Sequence, residues 1–138
     1  MAKKKHEMVI RAEAFEQTRK HFIDKEYELG KVDCIRLARF HALKMGHKPP
    51  KIPRYSTPLQ AKRVLTKMGH DSVDDLLASM FPKIPLAMAR IGDMVTGEGS
   101  EGLDATFIYT GRKLMGFHEE APGLVLIVPE LIKSAFRV

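Results

Sequence analysis

Ala105-Thr106-Phe107-Ile108-Tyr109-Thr110-Gly111-Arg112-Lys113-Leu114-Met115-Gly116-Phe117-His118 reads as a β-hairpin. Residues 105–110 are rich in β-branched and aromatic side chains, which suit a pleated, half-buried strand. Gly111-Arg112-Lys113 supplies a tight turn, and residues 114–118 form the return strand. Upstream, residues 91–96 begin a strand after a Gly92-Asp93 turn, with Asp93 read as a turn residue, and residues 97–102 form a glycine-rich loop. Downstream, residues 124–128 are an apolar β run, Pro129 opens one short helical turn, and residues 135–138 add a last edge.

Before about Ala89 the pattern is helical. Over residues 7–27, Met8, Phe15, Phe22 and Ile23 share a face, with Arg11, Glu16, Arg19 and Lys20 on others. Gly30 ends this unit. Asp33 is an N-cap for a helix over 34–45, whose inner face is Cys34, Leu37, Ala38, His41, Leu43 and Met45, with Gly46 beyond its end. Residues 47–53 hold Pro49, Pro50 and Pro53 and form an extended connector. Thr57-Pro58-Leu59-Gln60 is a capping box that starts a helix running to Met68, stopped by Gly69. Ser72 caps a shorter helix with Asp75 in its first turn and Leu76, Leu77 and Met80 on its apolar side. Residues 81–86 are a second connector.

Helices first and antiparallel strands after give an α+β class, with the N-terminal helices packed on a C-terminal antiparallel sheet. Residues 1–6 read as a basic tail and 7–138 as one domain, with a helical half over about 7–88 and a β half over 89–138. At 138 residues, 44% hydrophobic and 29% charged, the composition is that of a soluble globular domain. No apolar run reaches the ~18 residues of a membrane span, and no apolar segment of the signal-peptide kind follows the basic start. The net charge of +6 comes from basic residues spread along the chain without interleaved aromatics, so they read as solvated faces and argue against nucleic acid as partner.

The single cysteine, Cys34, stands at a helix start. Unpaired N–H groups and the positive end of the dipole favour a thiolate there, while the charge of Asp33 opposes one. The plainer reading is a small buried hydrophobe. One cysteine and six scattered histidines offer no metal pattern and no disulfide, and no cofactor is expected.

The order of these parts resembles the NlpC-type branch of the papain-like cysteine peptidases. The residues that carry the likeness are Leu29-Gly30-x-x-Asp33-Cys34, Ile91-Gly92-Asp93-Met94-Val95 and Ile108-Tyr109-Thr110-Gly111. The chain is most similar to small, mostly phage-encoded proteins of unknown function related to that branch. They share the proline-rich connector, the capped helix with a glycine stop, and an ending that here is Phe136-Arg137-Val138. The resemblance implies a papain-like fold, with Leu29, Gly30, Asp33, Gly92 and Asp93 supporting the motif. Active members hydrolyse amide bonds in cell-wall peptides with a thiolate, an imidazole base and a third residue that orients the base. Alignment of the Ile108-Tyr109-Thr110-Gly111 stretch puts Ala105 where the family carries its histidine. The orienting residue falls near Phe117 or His118, so His118 is the imidazole that the likeness brings toward Cys34. His41, seven residues after Cys34, lies ~10 Å along the same helix.

The resemblance, with Ala105 at the histidine position, implies a non-catalytic structural or assembly component of a tailed phage virion. Its place would be the tail tip or hub, its partners other tail proteins, and its site of synthesis the bacterial host cytoplasm. The alternative is a cysteine peptidase or amidase with Cys34 as nucleophile and His118 as a relocated base. A lesser alternative is a basic nucleic-acid-associated protein.

Overall fold

A computed structural model describes residues 6–118, 121–128 and 132–138. The basic start at residues 1–5, Glu119 and Glu120 beside His118, and the helical turn at Pro129 lie outside the described residues. Four helices come first: α1 (Glu7–Phe22), α2 (Cys34–Lys44), α3 (Pro58–Lys67) and α4 (Val73–Met80). Six strands follow: β1 (Lys83–Ile84), β2 (Met94–Gly97), β3 (Ala105–Tyr109), β4 (Leu114–Phe117), β5 (Leu124–Ile127) and β6 (Ile132–Phe136). They form one antiparallel sheet in the order β1-β6-β2-β3-β4-β5. The α+β class and the hairpin are as expected. No helix among the described residues is long and apolar enough to cross a membrane.

The register decides which side chains meet the helices. Met94 pairs with Ile108 and Phe136, and Ile108 pairs with Met115. This row packs with Phe22 of α1, Leu37, Ala38 and Ala42 of α2, and Leu77 of α4. Each such buried aliphatic or aromatic side chain contributes roughly 1.5–3 kcal/mol. The alternate row, Val95, Phe107, Leu114 and Ala135, forms a second cluster on the other face of the sheet.

Several local expectations need correcting. Residues 135–138 were expected to form an edge, but β6 lies inside the sheet between β2 and β1. The cause is β1, a two-residue strand in the connector after α4, too short to show in sequence. α1 ends at Phe22, and Met8 and Ile23 are exposed. Its buried face is Arg11, Ala14, Thr18 and Phe22, half of it polar, so apolar periodicity could not find it. On α2 the inner residues are Ile35, Leu37, Ala38, His41 and Ala42, and Leu43 faces out. At α3, Thr57 accepts from the Gln60 N–H, but Gln60 Oε1 accepts from the N–H and hydroxyl of Ser56, so the box closes one residue early.

Asp93 is not merely a turn residue. It is fully buried and ties α1, the start of β2 and the residues after β6 together. His41, also fully buried, stands beside this group. Its Nε2 donates to the Gly92 carbonyl at 2.7 Å, and its Nδ1 lies 3.0 Å from the Thr18 hydroxyl. Gly92 supplies that carbonyl from a left-handed backbone (φ +90°), a conformation glycine adopts without strain.

Burial, with the Arg11 charge assisting, pushes His41 down to about 4; the bond to Gly92 and the charge of Asp93 oppose the shift. An unfolded histidine titrates near ~6.5, so between about pH 6.5 and 4 the unfolded chain binds a proton that the folded chain refuses. Stability is therefore full above this window and falls by on the order of 3 kcal/mol as pH drops through it. Urea melts across the window should show a steeper pH dependence for the wild type than for His41→Gln. Parallel slopes would contradict the assignment.

Candidate functional site

The site is built where α2 begins against β3. Asp33 caps α2, its Oδ1 accepting from the Arg36 N–H at 2.8 Å. Its Oδ2 accepts from the Gly30 N–H at 2.7 Å and the Tyr55 hydroxyl at 2.6 Å. The carboxylate is thus buried but has three donors, as a buried charge requires. Gly30 must be glycine: its φ is +92°, and a Cβ there would stand 2.0 Å from the Tyr55 carbonyl oxygen. Burial and the Asp33 charge push the Tyr55 hydroxyl above the ordinary phenol range, which keeps it a donor.

Cys34 follows as the first residue of α2 and is half-buried. Its thiol lies 3.7 Å from the Asp104 carbonyl, its acceptor just before β3. Burial and then the Asp33 charge push the thiol up to about 12. Backbone N–H groups of Thr106, Cys34 and Ile35 pull the other way and lose. The expectation that a helix start would favour thiolate is therefore corrected: desolvation and the capping carboxylate outweigh the dipole.

A cavity of about 590 Å³ opens in front of the sulfur. Cys34, Ala105 and His118 all line it, as do Phe107, Phe117 and Leu29. Ala105, the first residue of β3, packs with the Val95 and Phe107 cluster on the far face of the sheet. His118 follows β4 at the cavity rim and is exposed.

Gly92 and Asp93 do not reach this cavity. They belong to the buried group that joins α1, α2 and the start of β2. Sequence reasoning missed Tyr55, whose place after a proline-rich connector carries no signal of its bond to Asp33. It also missed Asp104. Its carbonyl meets Cys34, and its carboxylate accepts from the Asp74 N–H at 3.1 Å and from Lys133 Nζ at 3.1 Å. Among the described residues no three His, Cys, Asp or Glu side chains group as a metal site would require.

Residues 9–138 match the model of the family described as domain of unknown function DUF6950. The chain belongs to this family. The matched span takes in α1 through β6, so the Asp33-Cys34 step, Ala105 and the Asp93 group all lie inside the DUF6950 domain. Among curated proteins none matches the chain in sequence.

Proposed function

We propose that this DUF6950 chain is a non-catalytic structural or assembly component of a tailed phage virion, at the tail tip or hub, built on an NlpC-like fold. The observation that carries the non-catalytic part is that Ala105, at the position where the resemblance places the family's histidine, lines the same cavity as Cys34. A thiol pushed up to about 12 has no use as a nucleophile without a base to take its proton. The phage setting rests on the resemblance of the Leu29-Gly30-x-x-Asp33-Cys34 and Ile91-Gly92-Asp93 steps to NlpC-type proteins, and fold alone does not fix function. The second reading, a cysteine peptidase or amidase of cell-wall peptides, is favoured by one observation: His118 lines the same cavity as Cys34.

Mass spectrometry of virions purified from cells in which the gene is expressed with its neighbours tests the proposal. The chain should sediment with tails at a fixed ratio to the other tail proteins. Recovery of the chain only in the soluble fraction would contradict the assembly role. Release of peptides from cell-wall fragments by the wild type, lost in Cys34→Ala, would favour the hydrolase.

A further inference from the structure

The charge of this chain is sorted along its length. Between Cys34 and His70 there are nine Lys and Arg and no Asp or Glu. That leaves 14 of the 23 Lys and Arg, against all 17 Asp and Glu, for the rest of the chain. The whole positive excess therefore resides in α2, the proline-rich connector and α3. Pairing differs in the same direction. Outside the segment, seven of the eleven described Lys and Arg have carboxylate partners among the described residues, Arg11, Arg137, Lys83 and Lys133 included, while Lys20, Lys25, Arg112 and Lys113 do not. Among the described residues none of the nine inside it has one.

Arg36 and Arg39 join α2 to the connector. Arg36 donates to the carbonyls of Ile52 at 3.2 Å and Pro53 at 3.4 Å, and Arg39 donates to that of Pro50 at 3.2 Å. Those bonds lay the connector along α2, with Pro49, Pro50 and Ile52 turned toward α2 and α4. Lys48, Lys51 and Arg54, three residues apart, are left exposed on it. The connector runs directly into α3. There Leu59, Arg63 and Lys67 stand four residues apart and form one exposed row on the helix.

The row contains its own clue to the partner. Leu59 is 58% exposed at its head, and Leu43 on α2 is 44% exposed. A phosphate backbone offers an apolar side chain no partner. Nor are aromatic rings open for stacking on bases: Tyr55 is buried, and Phe40 stacks on His21 and carries Lys44 over its ring. Exposed leucines on the same elements as unpaired cations match an acidic protein segment with apolar side chains of its own. We propose that α2, the connector and α3 form a docking face for such a segment, supplied by a different chain. A second copy would bring the same cations face to face. The inference stands apart from the phage reading, since it rests on charge and exposure alone.

The test is fluorescence anisotropy with the whole protein and three probes of about 20 units: an amphipathic Glu/Leu peptide, an all-Glu peptide and duplex DNA. At low salt the Glu/Leu peptide should bind roughly tenfold tighter than the all-Glu peptide, and Leu59→Ser should erase that margin. The triple variant R54E/R63E/K67E should weaken both peptides by roughly tenfold or more. All four positions are exposed, and thermal melts of the variants check that the fold is kept. Three results would overturn the proposal: DNA bound more tightly than the Glu/Leu peptide, equal binding by the wild type and the triple variant, or no binding of the Glu/Leu peptide.

Discussion

Asp93→Ala is expected to cost about 4 kcal/mol of folding free energy, with a fall in Tm of roughly 10–20 °C. Asp93 has no exposed surface, and both its oxygens are doubly used. Oδ1 accepts from the Arg11 guanidinium and from the Val138 N–H at 3.0 Å; Oδ2 accepts from Arg137 Nε at 3.0 Å and the Arg90 N–H at 2.9 Å. Arg11 is 2% exposed, and it also donates to the backbone oxygens of Ile91 at 2.8 Å and Val138 at 2.6 Å. Removing the carboxylate would leave a buried guanidinium without its counter-charge and two backbone donors without acceptors. The effect exceeds a simple cavity because the group joins α1, the entry to β2 and residues 137–138, which are far apart in sequence. Asp93→Asn keeps an acceptor but turns an amide N–H₂ toward donors, so it should fall between the wild type and Asp93→Ala. Urea melts at neutral pH measure all three. A loss under about 1 kcal/mol for Asp93→Ala would mean that the ion pair's desolvation cost matches its attraction.

Much of the fold was legible because its signals are local. Asp33, Thr57 and Ser72 are side-chain caps, and the positive φ of Gly46 and Gly69 marks helix ends. The 105–118 hairpin carries its own turn. What stayed hidden depends on partners distant in sequence. The buried face of α1 includes Arg11 and Thr18, which are buried only because Asp93 and His41 receive them from 82 and 23 residues away. β6 becomes internal only because β1 covers it. At the site, Cys34, Ala105 and His118, which the alignment singles out, all line one cavity. The alignment could not weigh the dipole of α2 against desolvation and the Asp33 charge, because that balance depends on how deeply the sulfur is packed against residues 104–106.

Cys34 in the folded protein is expected to react with iodoacetamide roughly a thousandfold more slowly than in the denatured chain at pH 8. A thiol at about 12 is ionised to only ~10⁻⁴ there, against tens of per cent for a free thiol near ~8.5. The packing of the half-buried sulfur adds to the protection. Asp33→Asn removes the negative neighbour and should recover part of the rate, while the burial contribution stays. The account stands on Cys34 being an unactivated thiol, and the alkylation rate from about pH 5 to 9 tests this directly. The account predicts a folded-state rate far below that of the denatured chain, still rising at the top of that range without a plateau. A plateau with its midpoint below about pH 7.5 would mean a stabilised thiolate, contradict the non-catalytic reading and turn attention to His118 as its base.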